Sequence, residues 1–337
     1  MALVAGFGLL ARFVPPDLWW PPSIISLLLP GLLVATSLFL LVCLYLKKWK
    51  SAFLPLLIVL ATLPLMGRLF AFGSEKSLTS DTKKITVLTT NVRSFKNASW
   101  KDLKAEEATR FLASERPDIL LLQEARHDRS KAPLFEDLKS SSQLAKRHQP
   151  TRKPIATYAN ELTFVKDVFT KPSRYNGFLV SDVKTSLGTI RVINAHLQSN
   201  RISGMAGEIG QDSTLAEGLG RAESMFRNYG ASAAIRARQA NEIRKAVKES
   251  PHPVIVGGDF NDVPSSYTYQ RMLTPRLRDA WVEAGRGPGT TFTGPLPGLR
   301  IDYLLIDTSL TILDVERVET GFSDHRGVRA KIGRVVN

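Results

Sequence analysis

The chain is 337 residues long, 44% hydrophobic and carries a net charge of +14. That content suits one large globular domain or two ordinary ones. Its single cysteine, Cys43, excludes a disulfide framework, and the basic excess points to anionic partners such as nucleic acid, phospholipid headgroups or other phosphoesters.

The hydrophobicity is concentrated at the start. Ser23 to Leu46 contains no charged residue and is long enough to cross a bilayer core, which takes about 20 residues. Ser51 to Gly67 is a second uncharged run, broken by Pro55 and Pro64. Residues 1 to 14 are apolar but short and carry Arg12, so they read as a partial third span or a re-entrant piece. Lys47-Lys48-Trp49-Lys50 joins the two clear runs. The positive-inside rule puts this loop in the cytoplasm and everything beyond Phe72 outside it, with Trp19 and Trp20 in the outer interfacial belt. The expected organisation is a lipid-embedded anchor over residues 1 to 72, a polar linker over 73 to 84 and a catalytic domain over 85 to 337. Arg12, Lys47, Lys48, Lys50 and Arg68 against Asp17 give the anchor +4, which leaves +10 for the rest.

Beyond the linker, Ile85 to Thr90 alternates as a strand and ends at Asn91. Lys101 to Ser114 has helical spacing of Leu103, Ala108, Phe111 and Leu112. Pro117 to Gln123 is an apolar strand ending at Glu124, so strand, helix and strand set Asn91 and Glu124 at like ends of neighbouring strands. Ala125 to Pro172 is rich in Lys, Arg, Ser and Pro, with only Ile155 to Tyr158 and Leu162 to Val168 strand-like. Tyr175 to Val180 and Thr189 to Leu197 read as an antiparallel pair with His196 near the end of the second. Gly204 to Gly220 reads as a loop, and Arg221 to Lys248 as a long basic helix with Ile235, Ala240, Ile243 and Val247 inward.

Val254-Ile255-Val256-Gly257-Gly258-Asp259-Phe260-Asn261 is a buried strand delivering a carboxylate and an amide at its end, with Phe260 turned to the core. Alone, this pattern is equally a strand ending in an Asx turn. Arg300 to Ile306 is a further strand with Asp302 near its beginning, and Asp324-His325 precede a closing strand. Carboxylates gathered at so many strand ends repel one another unless a cation or a proton compensates. Oxygen-rich sets of this kind suit a hard cation and the hydrolysis of phosphodiesters.

In order along the chain, Thr90-Asn91-Val92, Leu122-Gln123-Glu124, Asn194-Ala195-His196-Leu197, Gly258-Asp259-Phe260-Asn261, Arg300-Ile301-Asp302-Tyr303 and Ser323-Asp324-His325 resemble the motifs of the endonuclease/exonuclease/phosphatase superfamily. The resemblance implies a four-layered α/β sandwich of two packed, mainly antiparallel sheets with outer helices, here preceded by transmembrane helices. It further implies Mg²⁺, with Mn²⁺ as a substitute, held by Glu124 with Asn91 and Asp324 close to the ion. His325 with Asp302 is the implied water-activating pair, Asp259 a second proton-handling or metal-linked carboxylate, and Asn261 and His196 donors to the phosphate oxygens. The implied activity is phosphodiester hydrolysis, nuclease-like first, with a phospholipid or sphingomyelin diesterase and a catalytically silent polyanion-binding module as alternatives. Two departures stand out. The Gly-Ala-Ile-Phe-Ser-like strand that relatives carry between Glu124 and Tyr175 is not recognisable, which puts one sheet edge in question. Arg93 occupies a position where the family's nucleases often have an acid, which favours a single metal.

Overall fold

The computed structural model describes residues 1–73, 83–96, 105–126, 136–138, 144–170, 175–200, 215–294 and 298–334. Three helices come first: α1 (Ala2–Leu10), α2 (Pro21–Tyr45) and α3 (Trp49–Leu69). Both α2 and α3 are long and apolar enough to cross a membrane. Leu9 of α1, Leu29 and Leu33 of α2 and Leu65 of α3 form their own buried cluster. Large apolar side chains such as Leu28, Val34, Leu38, Leu41, Phe53 and Leu60 remain exposed around it, an arrangement that water penalises and lipid does not.

After β1 (Ala71–Phe72) the chain builds two six-stranded sheets. One contains β2 (Lys84–Asn91), β3 (Ile119–Gln123), β4 (Lys146–His148), β5 (Ile155–Ala159), β13 (Thr311–Val318) and β14 (Gly327–Gly333), in the order β13-β14-β2-β3-β5-β4. The other contains β6 (Glu161–Phe169), β7 (Gly177–Thr185), β8 (Gly188–His196), β9 (Val254–Asp259), β10 (Leu277–Asp279) and β12 (Asp302–Asp307), in the order β10-β12-β9-β8-β7-β6. Each sheet has one parallel pair, β2 with β3 and β8 with β9; the other pairings are antiparallel. The sheets face each other across Val87, Leu121, Val192, Ile255 and Leu304. Helix α4 (Ala105–Ser114) covers the first sheet through Ala108 and Leu112. Helices α5 (Leu215–Lys248) and α6 (Tyr267–Met272) cover the second through Ala240, Ile243, Val247, Tyr269 and Met272, giving the four layers. A short helix α7 (Ala280–Ala284) and strand β11 (Arg286–Gly287), paired to β1, complete the fold.

Two expectations are corrected. The sheet edge in question is occupied: Ile155 to Ala159 pairs antiparallel with β3 and is buried throughout. It lacks the family-like sequence but keeps the apolar, β-branched content that an interior strand needs. The expected loop from Gly204 lies outside the described residues up to 214, and α5 starts at Leu215, within the span read as loop. The expected linker lies outside the described residues from 74 to 82.

The N-terminal helices are docked on the sandwich. Tyr229 of α5 donates its hydroxyl to the carbonyl of Ser23 at 3.1 Å, and Ser265 donates to that of Ser26 at 3.0 Å. Arg68 donates to Gln270 at 2.6 Å and receives Arg300 on its carbonyl at 2.9 Å. Trp20 packs against Gly230, where any side chain would collide with the indole, so this tryptophan joins α2 to α5.

Candidate active site

The strand ends meet because β12 and β14 run antiparallel to their neighbours, so their beginnings lie beside the ends of β9 and β2. His196, Asp259 and Asp302 are direct lateral partners on three adjacent strands. Gly258 makes this possible: its φ is +139°, and a Cβ there would strike the backbone of Ala195 on β8.

His325 Nδ1 lies 2.9 Å from Asp302 Oδ2, and its Nε2 lies 4.0 Å from Asp259 Oδ2. The three groups are buried and converge closely enough to share one cation. Burial pushes the Asp259 carboxyl up and the charge of Asp302 adds to this, while His325, His196 and the Asn261 N–H oppose them, leaving its pKa at about 6. Burial alone would push His325 down, but Asp302 and Asp259 outweigh it and hold the imidazolium up to about 10. The ring is further fixed edge-on to Phe292 at 5.2 Å, and Thr291 Oγ1 accepts the backbone N–H of Asp302 at 3.1 Å.

Asn91 joins this cluster from the opposite sheet. Its Nδ2 donates to Asp259 Oδ2 at 3.1 Å and to Glu124 Oε1 at 3.3 Å, while its Oδ1 accepts the Arg93 N–H at 3.0 Å. So placed, Asn91 serves the two carboxylates as a donor, and its oxygen would reach a cation only if the amide turned over. Glu124, with φ +52°, holds a carboxylate 37% exposed and 3.9 Å from His196 Nε2. His196 Nε2 also lies 3.8 Å from Asp259 Oδ2. Asn261 is near but partly engaged: Nδ2 donates to the Leu197 carbonyl at 3.1 Å, and its N–H donates to Asp259 Oδ1 at 2.8 Å. Asp324 lies 3.9 Å from Arg93 and adds its charge to those of Asp302 and Asp259 on His325. A ring of acidic oxygens around Asp259, one of them solvent-facing on Glu124, fits a hard divalent cation. The buried Asp302 Oδ1, without a hydrogen-bond partner among the described residues, supports the same need for a compensating charge.

Other residues hold the site in roles that the sequence did not assign to them. Asn176 Nδ2 lies 3.4 Å from His196 Nε2 and donates to the Leu197 carbonyl at 3.0 Å; the Asn176-Gly177 dipeptide before a strand was its only signal. Ser323 Oγ donates to the Asn91 carbonyl at 2.7 Å and accepts the His325 N–H at 3.1 Å, pinning the turn before β14 to the end of β2 in the same sheet. Asp262, the second carboxylate after β9, points away from the site to a wholly buried Arg236 at 3.1 Å. Arg236 also donates to the Gln198 carbonyl at 3.0 Å, so one guanidinium fixes the loops after β8 and β9 together. Its signal was positional: Tyr229, Ala233, Arg236, Ala240, Ile243 and Val247 recur at helical spacing, and all are buried.

Two mixed sheets bearing a carboxylate, amide and histidine cluster at one end define an endonuclease/exonuclease/phosphatase fold, and the chain belongs to that family: the family model matches residues 88–325. A second model, a domain of unknown function, matches residues 1–69. Similar solved structures include an endonuclease/exonuclease/phosphatase protein from Beutenbergia cavernae, 17% identical over 75% of this chain and 72% of that one, with a TM-score of 0.53. A humanized D. rerio TDP2 is 16% identical over 74% of this chain and 98% of its own, TM-score 0.52. D. rerio TDP2 complexed with a single-strand DNA product gives 16%, 74%, 99% and 0.51. At these identities the likeness is one of fold. The curated proteins contain no match.

Proposed function

We propose that this chain is a membrane-anchored, Mg²⁺-dependent phosphodiester hydrolase, Mn²⁺ serving in place of Mg²⁺. The observation that carries the reading is the buried Asp302–His325 pair, 2.9 Å apart, set against a second buried carboxylate, Asp259. Glu124 would hold the cation with Asp324 and Asp259 near it; such an ion, when bound, neutralises charge on the phosphoryl oxygens. The protein's own groups divide the remaining work. His325, held as a cation by two carboxylates, is placed to donate to a phosphate oxygen, with His196 and Asn261 beside it. Asp259, with its pKa at about 6, is tuned to take a proton from water near neutral pH. Asp302 keeps the ring oriented and charged.

Residues 1 to 72 act as the lipid-embedded anchor, supported by two exposed apolar helices and by the Lys47 to Lys50 cluster between them. On the positive-inside rule the catalytic part, from about residue 85, lies outside the cytoplasm. Protease added to intact cells should then cleave beyond Phe72, and protection would reverse the orientation.

The function itself is tested with the full chain in detergent and bis(4-nitrophenyl) phosphate, a diester that needs no specific binding surface. Hydrolysis should require Mg²⁺ or Mn²⁺, stop with chelator and be lost in His325→Ala. No turnover by a folded protein that still binds polyanions would establish the silent-module reading. Nucleic acid and phospholipid both present this bond. The single-strand DNA product on D. rerio TDP2 speaks for nucleic acid, while the basic charge suits nucleic acid and anionic headgroups alike.

A further inference from the structure

The docked anchor fixes where the site stands relative to the bilayer. Ser23, Ser26 and Leu27 of α2 meet the sandwich, Leu27 packing on Val263, Phe292 and Ile301. From Leu28 onward, large apolar side chains of α2 are exposed. Between Leu28 and Tyr45 the helix rises about 27 Å, close to the roughly 30 Å of a hydrocarbon core. Helix α3 gives the same answer independently, since Arg68 is already engaged with Gln270 and Arg300 and Trp49 to Gly67 spans about 27 Å. Both helices therefore place the edge of the hydrocarbon at the level of Leu27 and Arg68.

The site adjoins the residues at that level. Phe292, which touches Leu27's cluster, is the ring packed edge-on against His325 and the β-bridge partner of that residue. Ile301, in the same cluster, precedes Asp302. Phe292 thus links the cluster on which Leu27 packs to the imidazole. The headgroup layer adds roughly 5–7 Å on each side of the core, the depth at which lipid phosphates lie. Trp19 and Phe226, both exposed, flank the contact, and Tyr175, exposed beside Asn176, carries the Arg126 guanidinium over its ring. Amphipathic aromatics with cations are what an interfacial rim requires.

Resting on the hydrolase reading above, we infer that the substrate is a phosphodiester carried by a phospholipid in the same bilayer that holds the anchor. Water's oxygen joins phosphorus, the P–O bond to one alcohol breaks, and that alkoxide takes up a proton, leaving a phosphomonoester and an alcohol. The +10 charge beyond residue 72 favours an anionic headgroup.

The full chain is reconstituted into vesicles of digalactosyldiacylglycerol, which contains no phosphodiester, doped with phosphatidylglycerol, phosphatidylethanolamine or sphingomyelin. Parallel arms offer the same lipids in separate vesicles, single-stranded DNA, duplex DNA, RNA and bis(4-nitrophenyl) phosphate. Cleavage of lipid in the enzyme's own vesicles, phosphatidylglycerol fastest, is expected. At constant bulk lipid, a tenfold dilution in the bilayer plane should lower the rate about tenfold, because a tethered enzyme sees surface concentration. Equal cleavage in separate vesicles overturns the inference. So does cleavage of nucleic acid or of the small diester with lipids untouched, the hydrolase reading then surviving. Failure on every arm, the small diester included, removes both.

Discussion

Asp302→Asn is the substitution that most directly separates the proposed division of labour from a merely structural cluster. Asparagine keeps the shape and can still meet His325 Nδ1, now 2.9 Å from Asp302 Oδ2, but it removes the nearer of the two charges that hold the ring up to about 10. In metal-free protein the imidazole should then titrate well below its parent value, and NMR of the ring protons in EDTA reads this directly. The stability consequence has a definite sign. A histidine raised from 6.5 to about 10 stabilises the fold fully below pH 6.5, and that contribution is lost as pH rises through 10. The chelated parent should therefore lose Tm between pH 7 and 10 more steeply than the variant. With Mg²⁺, losing a charged donor at the developing phosphate charge should lower kcat by about 10²–10³-fold with KM little changed. Parental ring titration near 6.5, or a variant within tenfold of parent activity, would refute the reasoning.

Gly258→Ala should disrupt the β8–β9 pairing, since the added methyl meets the Ala195 backbone at a φ of +139°; a loss of at least about 1–3 kcal/mol in denaturant unfolding is expected, with activity falling further because His196 and Asp259 share that register. Arg236→Met leaves Asp262 buried without its 3.1 Å partner and should cost about 3–5 kcal/mol, which the double variant with Asp262→Leu should largely recover. Asn194 donates from β8 to the Ala156 carbonyl at 2.9 Å and accepts from Gln123 at 2.8 Å, so Asn194→Ala strands buried partners in the opposing sheet and should cost about 2–4 kcal/mol; a loss below 1 kcal/mol would show that water replaces the amide.

How much of this was legible in the sequence follows from how each contact is encoded. Residues whose role is fixed by strand periodicity and a polar terminus were readable: Asn91, Glu124, His196, Asp259, Asp302 and His325 all sit where an apolar run ends or begins, and the antiparallel placement of β12 and β14 brings them together. The interior strand at Ile155 was faint because it is only five residues long and buried on both faces, so it shows no alternation. Two features of the site were beyond any pattern. Whether Asn91 offers a cation its oxygen or the carboxylates its NH₂ depends on an amide orientation set by the Arg93 N–H, and whether His325 is base or cation depends on two carboxylates from other strands. The anchor's docking was beyond pattern for a different reason. Tyr229, Ser265 and Arg300 each bind a backbone carbonyl, at Ser23, Ser26 and Arg68, and a carbonyl is offered by every residue alike. An apolar segment therefore read as a spanning helix carries no visible mark of the face it presents to the sandwich. That face nevertheless sets how α2 meets the cluster of Phe292, the ring packed on His325, so the geometry on which the proposed lipid-borne substrate rests lies in the least legible part of the chain.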